Sequence, residues 1–85
     1  MEKNIENEKE ISLYFLFKNR KELYLDAKES FSFEQVINQL NEKYLWLKNI
    51  EIKEYQFENR KISDKRSLKQ NGLKDNSTIY IIEYH

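Results

Sequence analysis

The chain of 85 residues contains no cysteine and no proline, and it has one glycine and one histidine. Without cysteine there is no disulfide and no thiol chemistry. The single histidine is His85, so a His/Cys zinc site and a Ser/His/Asp catalytic set are both excluded. No apolar run approaches the ~18 residues of a membrane span. We therefore expect neither an enzyme nor a cofactor, a bound metal, a small-molecule substrate or insertion into a membrane.

The charges balance, with 15 basic and 15 acidic side chains. Proteins that bind nucleic acid usually carry a basic excess, so we expect no nucleic-acid partner. The first ten residues, MEKNIENEKE, lack the apolar segment of a signal peptide, which predicts a cytoplasmic protein. Nearly all of them are charged or amide residues, which predicts a disordered tail at residues 1–10. Residues 11–85 are then short enough for one domain with a modest core.

Two runs after this tail alternate between apolar and more polar residues, as strands do. They are ISLYFLFKN (11–19) and ELYLDAK (22–28), and a short polar turn, NRK, joins them. This pattern predicts a β-hairpin. Its buried face is expected to hold Ile11, Leu13, Phe15, Phe17, Leu23, Leu25 and Ala27. The opposite face then carries Tyr14, Leu16 and Tyr24.

The period then changes from two residues to three or four. Ser32 and Gln35 fit a capping box at the start of a helix. An apolar stripe predicts a helix that ends near residues 44–46, and it comprises Phe33, Val36, Ile37, Leu40 and Tyr44. Trp46 falls outside that stripe and is either a lid on one end of the core or an exposed anchor.

The second half of the chain predicts a third strand at about 50–57, a turn at ENRK and the apolar residue Ile62. Gly72 and Asn76 suit turns that need a left-handed backbone. TIYIIEY, from Thr78 to Tyr84, is the last strand. The element order is ββαβ, a short irregular segment, then β, and it is typical of an α+β fold.

Residues 57–83, FENRKISDKRSLKQNGLKDNSTIYIIE, resemble the ubiquitin-like β-grasp proteins, and the resemblance extends over residues 11–84. It implies a mixed sheet of four to five strands packed on one helix, with the first and last strands adjacent and parallel. It also implies that Ile79 and Ile81 point inward, which alternation alone does not decide. The predicted core is Leu13, Phe15, Leu23, Leu25, Phe33, Val36, Ile37, Leu40, Phe57, Ile62, Leu68, Leu73, Ile79 and Ile81.

Family members that are conjugated or that carry sulfur act through a C-terminal Gly-Gly, and here the last strand runs into EYH. The resemblance therefore implies a non-conjugating member. The alternative is a modifier or sulfur carrier whose Gly-Gly tail is missing from this sequence. The positions that match ubiquitin's recognition patch are Asn19, Gln56 and Ile82. Since two of the three are polar, partners that read the ubiquitin patch should bind weakly.

The outer sheet face offers a different surface. Its predicted partner-binding residues are Tyr14, Leu16, Tyr24, Gln56, Tyr80 and Ile82, with a rim of Lys18, Glu22, Asp26 and Glu54. Tyrosine is enriched at binding hot spots, so we expect this face to bind another protein. The alternative is that cross-strand tyrosines only stabilise the sheet.

The expected function is that of a non-catalytic interaction module or adaptor. The chain is also similar to the ubiquitin-like accessory proteins of bacterial type VII secretion systems, which is a second setting for such a module. RNA binding through stacked tyrosines is a third hypothesis. The balanced charge argues against it.

Overall fold

The computed structural model describes residues 9–18 and 22–84 of the chain. Residues 1–8 of the predicted tail, the predicted NRK turn, Asn19 of the aligned patch and His85 lie outside the described residues. The secondary-structure elements are β1 (Glu10–Phe17), β2 (Glu22–Lys28), α1 (Phe33–Lys43), a 3-10 helix (Leu45–Asn49), β3 (Ile52–Phe57), β4 (Arg60–Lys61) and β5 (Ser77–Glu83).

The strands form one mixed sheet of five strands in the order β2-β1-β5-β3-β4. The pair β1 and β5 is parallel, whereas β1 with β2, β3 with β5 and β3 with β4 are antiparallel. The predicted α+β class, with one helix packed on a mixed sheet, is confirmed. The first and last strands are adjacent and parallel, so the arrangement is compatible with a β-grasp fold.

The helix begins as the sequence predicts. Gln35 N donates to the Ser32 hydroxyl at 3.2 Å, and Ser32 N donates to Gln35 Oε1 at 2.9 Å. This reciprocal pair is the predicted capping box. The helix ends at Lys43, and the five-residue 3-10 helix that follows was not part of the sequence prediction. That short helix buries Leu47 against the core.

The core lies between α1 and one face of the sheet. Most of the predicted core residues are buried, and only Leu25, Ile37 and Phe57 are partly buried at its margin. Ile79 and Ile81 are 0% and 2% exposed, which confirms the inward phase of β5. Trp46 packs on one end of this core, with its ring 5.9 Å from Phe17, while remaining 36% exposed.

The turns follow from residues that tolerate a left-handed backbone. Gly72 has φ 82° and Asn76 has φ 67°, as their residue types predict. The β3–β4 turn has Glu58 and Asn59 at φ 51° and 65°. Positive φ at both central residues is typical of a type I′ hairpin turn, which suits the twist of the flanking strands.

Among the described residues, none of the helices has the length and apolar character needed to cross a membrane.

Candidate interaction surface

The six predicted site residues all lie on the outer face of the sheet, defined as the face turned away from α1. Burial alternates along the strands: β1 buries its odd-numbered residues and leaves Tyr14 and Leu16 partly exposed. The same alternation in β5 buries Ile79 and Ile81 and exposes Tyr80. The site residues on the outer face are Tyr14, Leu16, Tyr24, Gln56, Tyr80 and Ile82.

One row of outer-face side chains crosses all five strands, and we call it the central row. Leu16 pairs with Glu22 on one side and with Tyr80 on the other. Tyr80 pairs in turn with Gln56, and Gln56 pairs with Lys61. Neighbouring residues in register share a face, so these side chains stand next to each other. The row therefore has an acid at the β2 end, a base at the β4 end and Tyr80 in the middle.

A second row, which we call the upper row, lies one step further along β5. Ile82 pairs with Glu54 of β3. Phe17 pairs with Ile81 in the parallel ladder, so Lys18, the next residue, lies beside Ile82. The upper row thus carries a base on the β1 side and an acid on the β3 side. Its charges run in the direction opposite to those of the central row.

Residues from both rows line one shallow depression of about 430 Å³, and they are Leu16, Lys18, Gln56, Tyr80 and Ile82. Tyr80 is 47% exposed, whereas Leu16 and Ile82 are partly buried. The depression therefore presents a half-exposed tyrosine side chain between two aliphatic side chains. Large apolar groups with a polar rim are the usual composition of a protein interface.

The Tyr14 and Tyr24 part of the predicted surface is held within the protein. The two rings lie 5.2 Å apart, and the Tyr24 hydroxyl donates to Asp26 Oδ1. The Ser12 hydroxyl donates to the same oxygen at 2.8 Å. The hydrogen bond from Tyr24, and to a smaller extent the one from Ser12, lowers the pKa of Asp26. The hydrogen bond to Asp26 in turn raises the pKa of Tyr24. The contacts of Tyr24 therefore join β1 and β2 and engage its hydroxyl within the protein.

The end of α1 closes the outer edge of β2 at Tyr24. The Tyr44 hydroxyl accepts from Tyr24 N at 3.2 Å and donates to Tyr24 O at 3.3 Å. Lys43 Nζ also donates to Tyr24 O at 2.7 Å and lies 5.1 Å from the centre of the Tyr24 ring. Sequence reasoning placed Tyr44 in the apolar stripe and missed this contact. The one available signal was a phenol at the last position of that stripe.

Another depression, of about 360 Å³, lies between α1 and β3. Its walls include Glu34, Lys53 and Asp64, so charges of both signs line it. Across residues 9–18 and 22–84, no cluster of three or more His, Cys, Asp or Glu side chains is arranged to hold a metal ion.

No protein-family model matches this chain, and no curated protein matches it either.

Proposed function

We propose that this chain is a non-catalytic, ubiquitin-like interaction module that docks on another protein through the open part of its outer face. The open part consists of Leu16, Tyr80 and Ile82, framed by the charged ends of the two rows. The observation that carries the proposal is the half-exposed Tyr80 between two aliphatic side chains. Tyrosine buries a large area at low entropic cost, and such residues dominate binding energies.

The contrast between the tyrosines supports docking over a purely structural role. The hydroxyls of Tyr24 and Tyr44 are both engaged in hydrogen bonds within the protein. Within the described part of the chain, the Tyr80 hydroxyl has no such partner. A phenol that needs neither internal hydrogen bonds nor full burial is suited to contacts with a partner.

The ubiquitin-like part of the proposal rests on topology and turn chemistry together. The parallel pairing of β1 with β5, the sheet order and the left-handed Gly72 and Asn76 all agree with the resemblance. The proposal includes a non-conjugated, cytoplasmic adaptor, as the sequence suggests. Docking through a sheet face requires no nucleophile and no cofactor, in keeping with the non-catalytic role that the sequence predicts.

The proposal is tested by capturing partners from a lysate of the cells that express the chain. Wild type is compared with Tyr80→Ala and Ile82→Asp, and with Gln39→Ala on the exposed side of α1 as the matched control. We expect both sheet-face variants to lose the captured protein and the control to retain it. Circular dichroism checks that each variant is folded. Identical capture by all four folded proteins would refute docking through this face.

A further inference from the structure

We propose that the partner bound by the outer face is a second copy of this chain. The two copies would pack face to face about a twofold axis that runs parallel to β5. This inference rests on the proposed function, because it names the occupant of the same surface. It is carried by the order of charges in the central and upper rows, which makes the face complementary to itself.

The sheet order places β5 in the middle, with β1 and β3 on its two sides and β2 and β4 at the two edges. A twofold rotation about an axis along β5 lays β2 of one copy over β4 of the other, and β1 over β3. Glu22 then faces Lys61 of the second copy, at both ends of the central row. Opposite charges that meet across an interface set the docking register.

The upper row gives the same result independently. Lys18 lies on the β1 side and Glu54 on the β3 side of Ile82. The same rotation lays Lys18 over Glu54 of the second copy, and Glu54 over Lys18. The axis forms each pair, Glu22 with Lys61 and Lys18 with Glu54, twice. Four contacts between opposite charges therefore result from one axis, and both rows agree with it even though their charges run in opposite directions.

The charges also select the direction of the axis. A twofold axis that runs along the central row, at right angles to the strands, would lay β2 over β2 and β4 over β4. Glu22 would then face Glu22 of the second copy, and Lys61 would face Lys61. Like charges brought together oppose association, so of these two axes the one along the strands suits this face. Closed twofold dimers of this kind are the commonest soluble homo-oligomers.

The apolar residues lie on the axis itself. Tyr80 and Ile82 both belong to β5, so each would meet its own counterpart in the second copy. Two aromatic rings that approach at a twofold axis can adopt an offset or tilted pair, with centroids ~4.5–7 Å apart. Sheets that stack face to face pack their strands nearly aligned, which is the geometry that this axis produces.

The size of the face sets the strength of the dimer. The face spans five strands spaced ~4.8 Å apart, and a seven-residue strand such as β5 is ~23 Å long. Because β4 has only two residues, the face covers at most roughly 20 Å by 23 Å. This corresponds to about 450 Å² per copy, roughly half of the ~800 Å² of a standard interface. We therefore expect a weak dimer that dissociates on dilution and weakens with added salt, because its rim is ionic.

Sedimentation equilibrium over a wide concentration range, at low salt, tests the inference by charge reversal. Glu22→Lys and Lys61→Glu each replace two attractive contacts with two repulsive ones, so each should weaken self-association by about tenfold or more. An equimolar mixture of the two single variants should restore association, because every rim contact between them is again between opposite charges. The double variant should also associate. Glu42→Lys, on the exposed side of α1, is the matched control and should behave as wild type.

Three outcomes would overturn the inference. They are a wild-type chain that stays monomeric throughout the range, single variants that associate like wild type, and a mixture that fails to recover. The proposed function fails by a different result, namely capture of a protein partner that is insensitive to Tyr80→Ala. A monomeric wild type with Tyr80-dependent capture would therefore refute only the second copy as occupant.

Discussion

Strongly alkaline solution should destabilise this fold through the ionisation of Tyr55. The Tyr55 ring packs edge-on against Phe33, with centroids 5.3 Å apart, and against Phe15 at 6.3 Å. Burial raises the pKa of the Tyr55 hydroxyl from 10.0 to about 12, and the negative charge of Asp64 adds to the rise. The folded chain therefore holds this phenol neutral at a pH where the unfolded chain ionises it.

The sign and size of the effect follow from linkage. The folded pKa lies above the unfolded one, so the neutral Tyr55 contributes fully to the stability below pH 10.0. This contribution is lost as the pH rises toward about 12. A difference of two pKa units corresponds to about 2.7 kcal/mol. Since the ring is only partly buried, we discount this to about 2 kcal/mol in total. At about pH 11, midway between the unfolded and the folded pKa, about half of this free energy should be lost, which is about 1 kcal/mol.

Urea unfolding of wild type and Tyr55→Phe, at neutral pH and at about pH 11, measures this loss. Tyr24, whose pKa is also raised, is present in both proteins, so its contribution cancels in the difference. The free energy of unfolding of wild type should fall by about 1 kcal/mol more than that of the variant. Equal losses in the two proteins would show that Tyr55 is not shielded as its packing implies.

Three further predictions concern local features. Gly72→Ala should lower the free energy of unfolding by about 1–2 kcal/mol, because φ is 82° there and a side chain is strained in this region. The added methyl would lie 3.6 Å from Arg60, an ordinary contact, so the cost comes from the backbone, and thermal unfolding measures it. Replacing Glu58 and Asn59 by Asn-Gly should stabilise the chain by about 1 kcal/mol, since both have positive φ in a type I′ turn; unchanged stability in urea would contradict this. Hydrogen bonds depress the pKa of Asp26 below 3.8, and their contribution to stability is lost when the carboxylate is protonated. As the pH falls below 3.8, the free energy of unfolding in urea should therefore decrease more for wild type than for Asp26→Asn.

Local sequence patterns predicted the elements whose structure depends on local chemistry. The capping box depends on hydrogen bonds between Ser32 and Gln35, three residues apart, and the left-handed turns depend on the backbone preferences of Gly72 and Asn76. The strand phases of β1 and β2 depend on alternation, which is a period-two signal within each strand. For β5, where both faces are apolar, only the resemblance placed Ile79 inward, and the burial agrees.

Features that join distant parts of the chain were beyond such patterns. The Tyr44 hydroxyl meets the Tyr24 backbone across 20 residues, and neither residue shows a motif that signals the contact. Likewise, the central row depends on the registers of four strand pairs at once. The resemblance implied that Tyr80 would lie on the outer face. It did not predict that Glu22 and Lys61 would end the same row.

The edges of the sheet explain why association should use the face and not the backbone. At the centre of β2, Tyr44 and Lys43 already occupy both backbone groups of Tyr24. At the opposite edge, β4 has two residues, both charged at neutral pH and exposed. Short, charged or covered edges discourage the addition of another strand. A partner that nevertheless added a strand at β2 would bind more tightly after Tyr44→Phe and would be indifferent to Tyr80→Ala. Docking through the face should instead be weakened by Tyr80→Ala and unaffected by Tyr44→Phe. This pair of variants therefore separates the two modes of association.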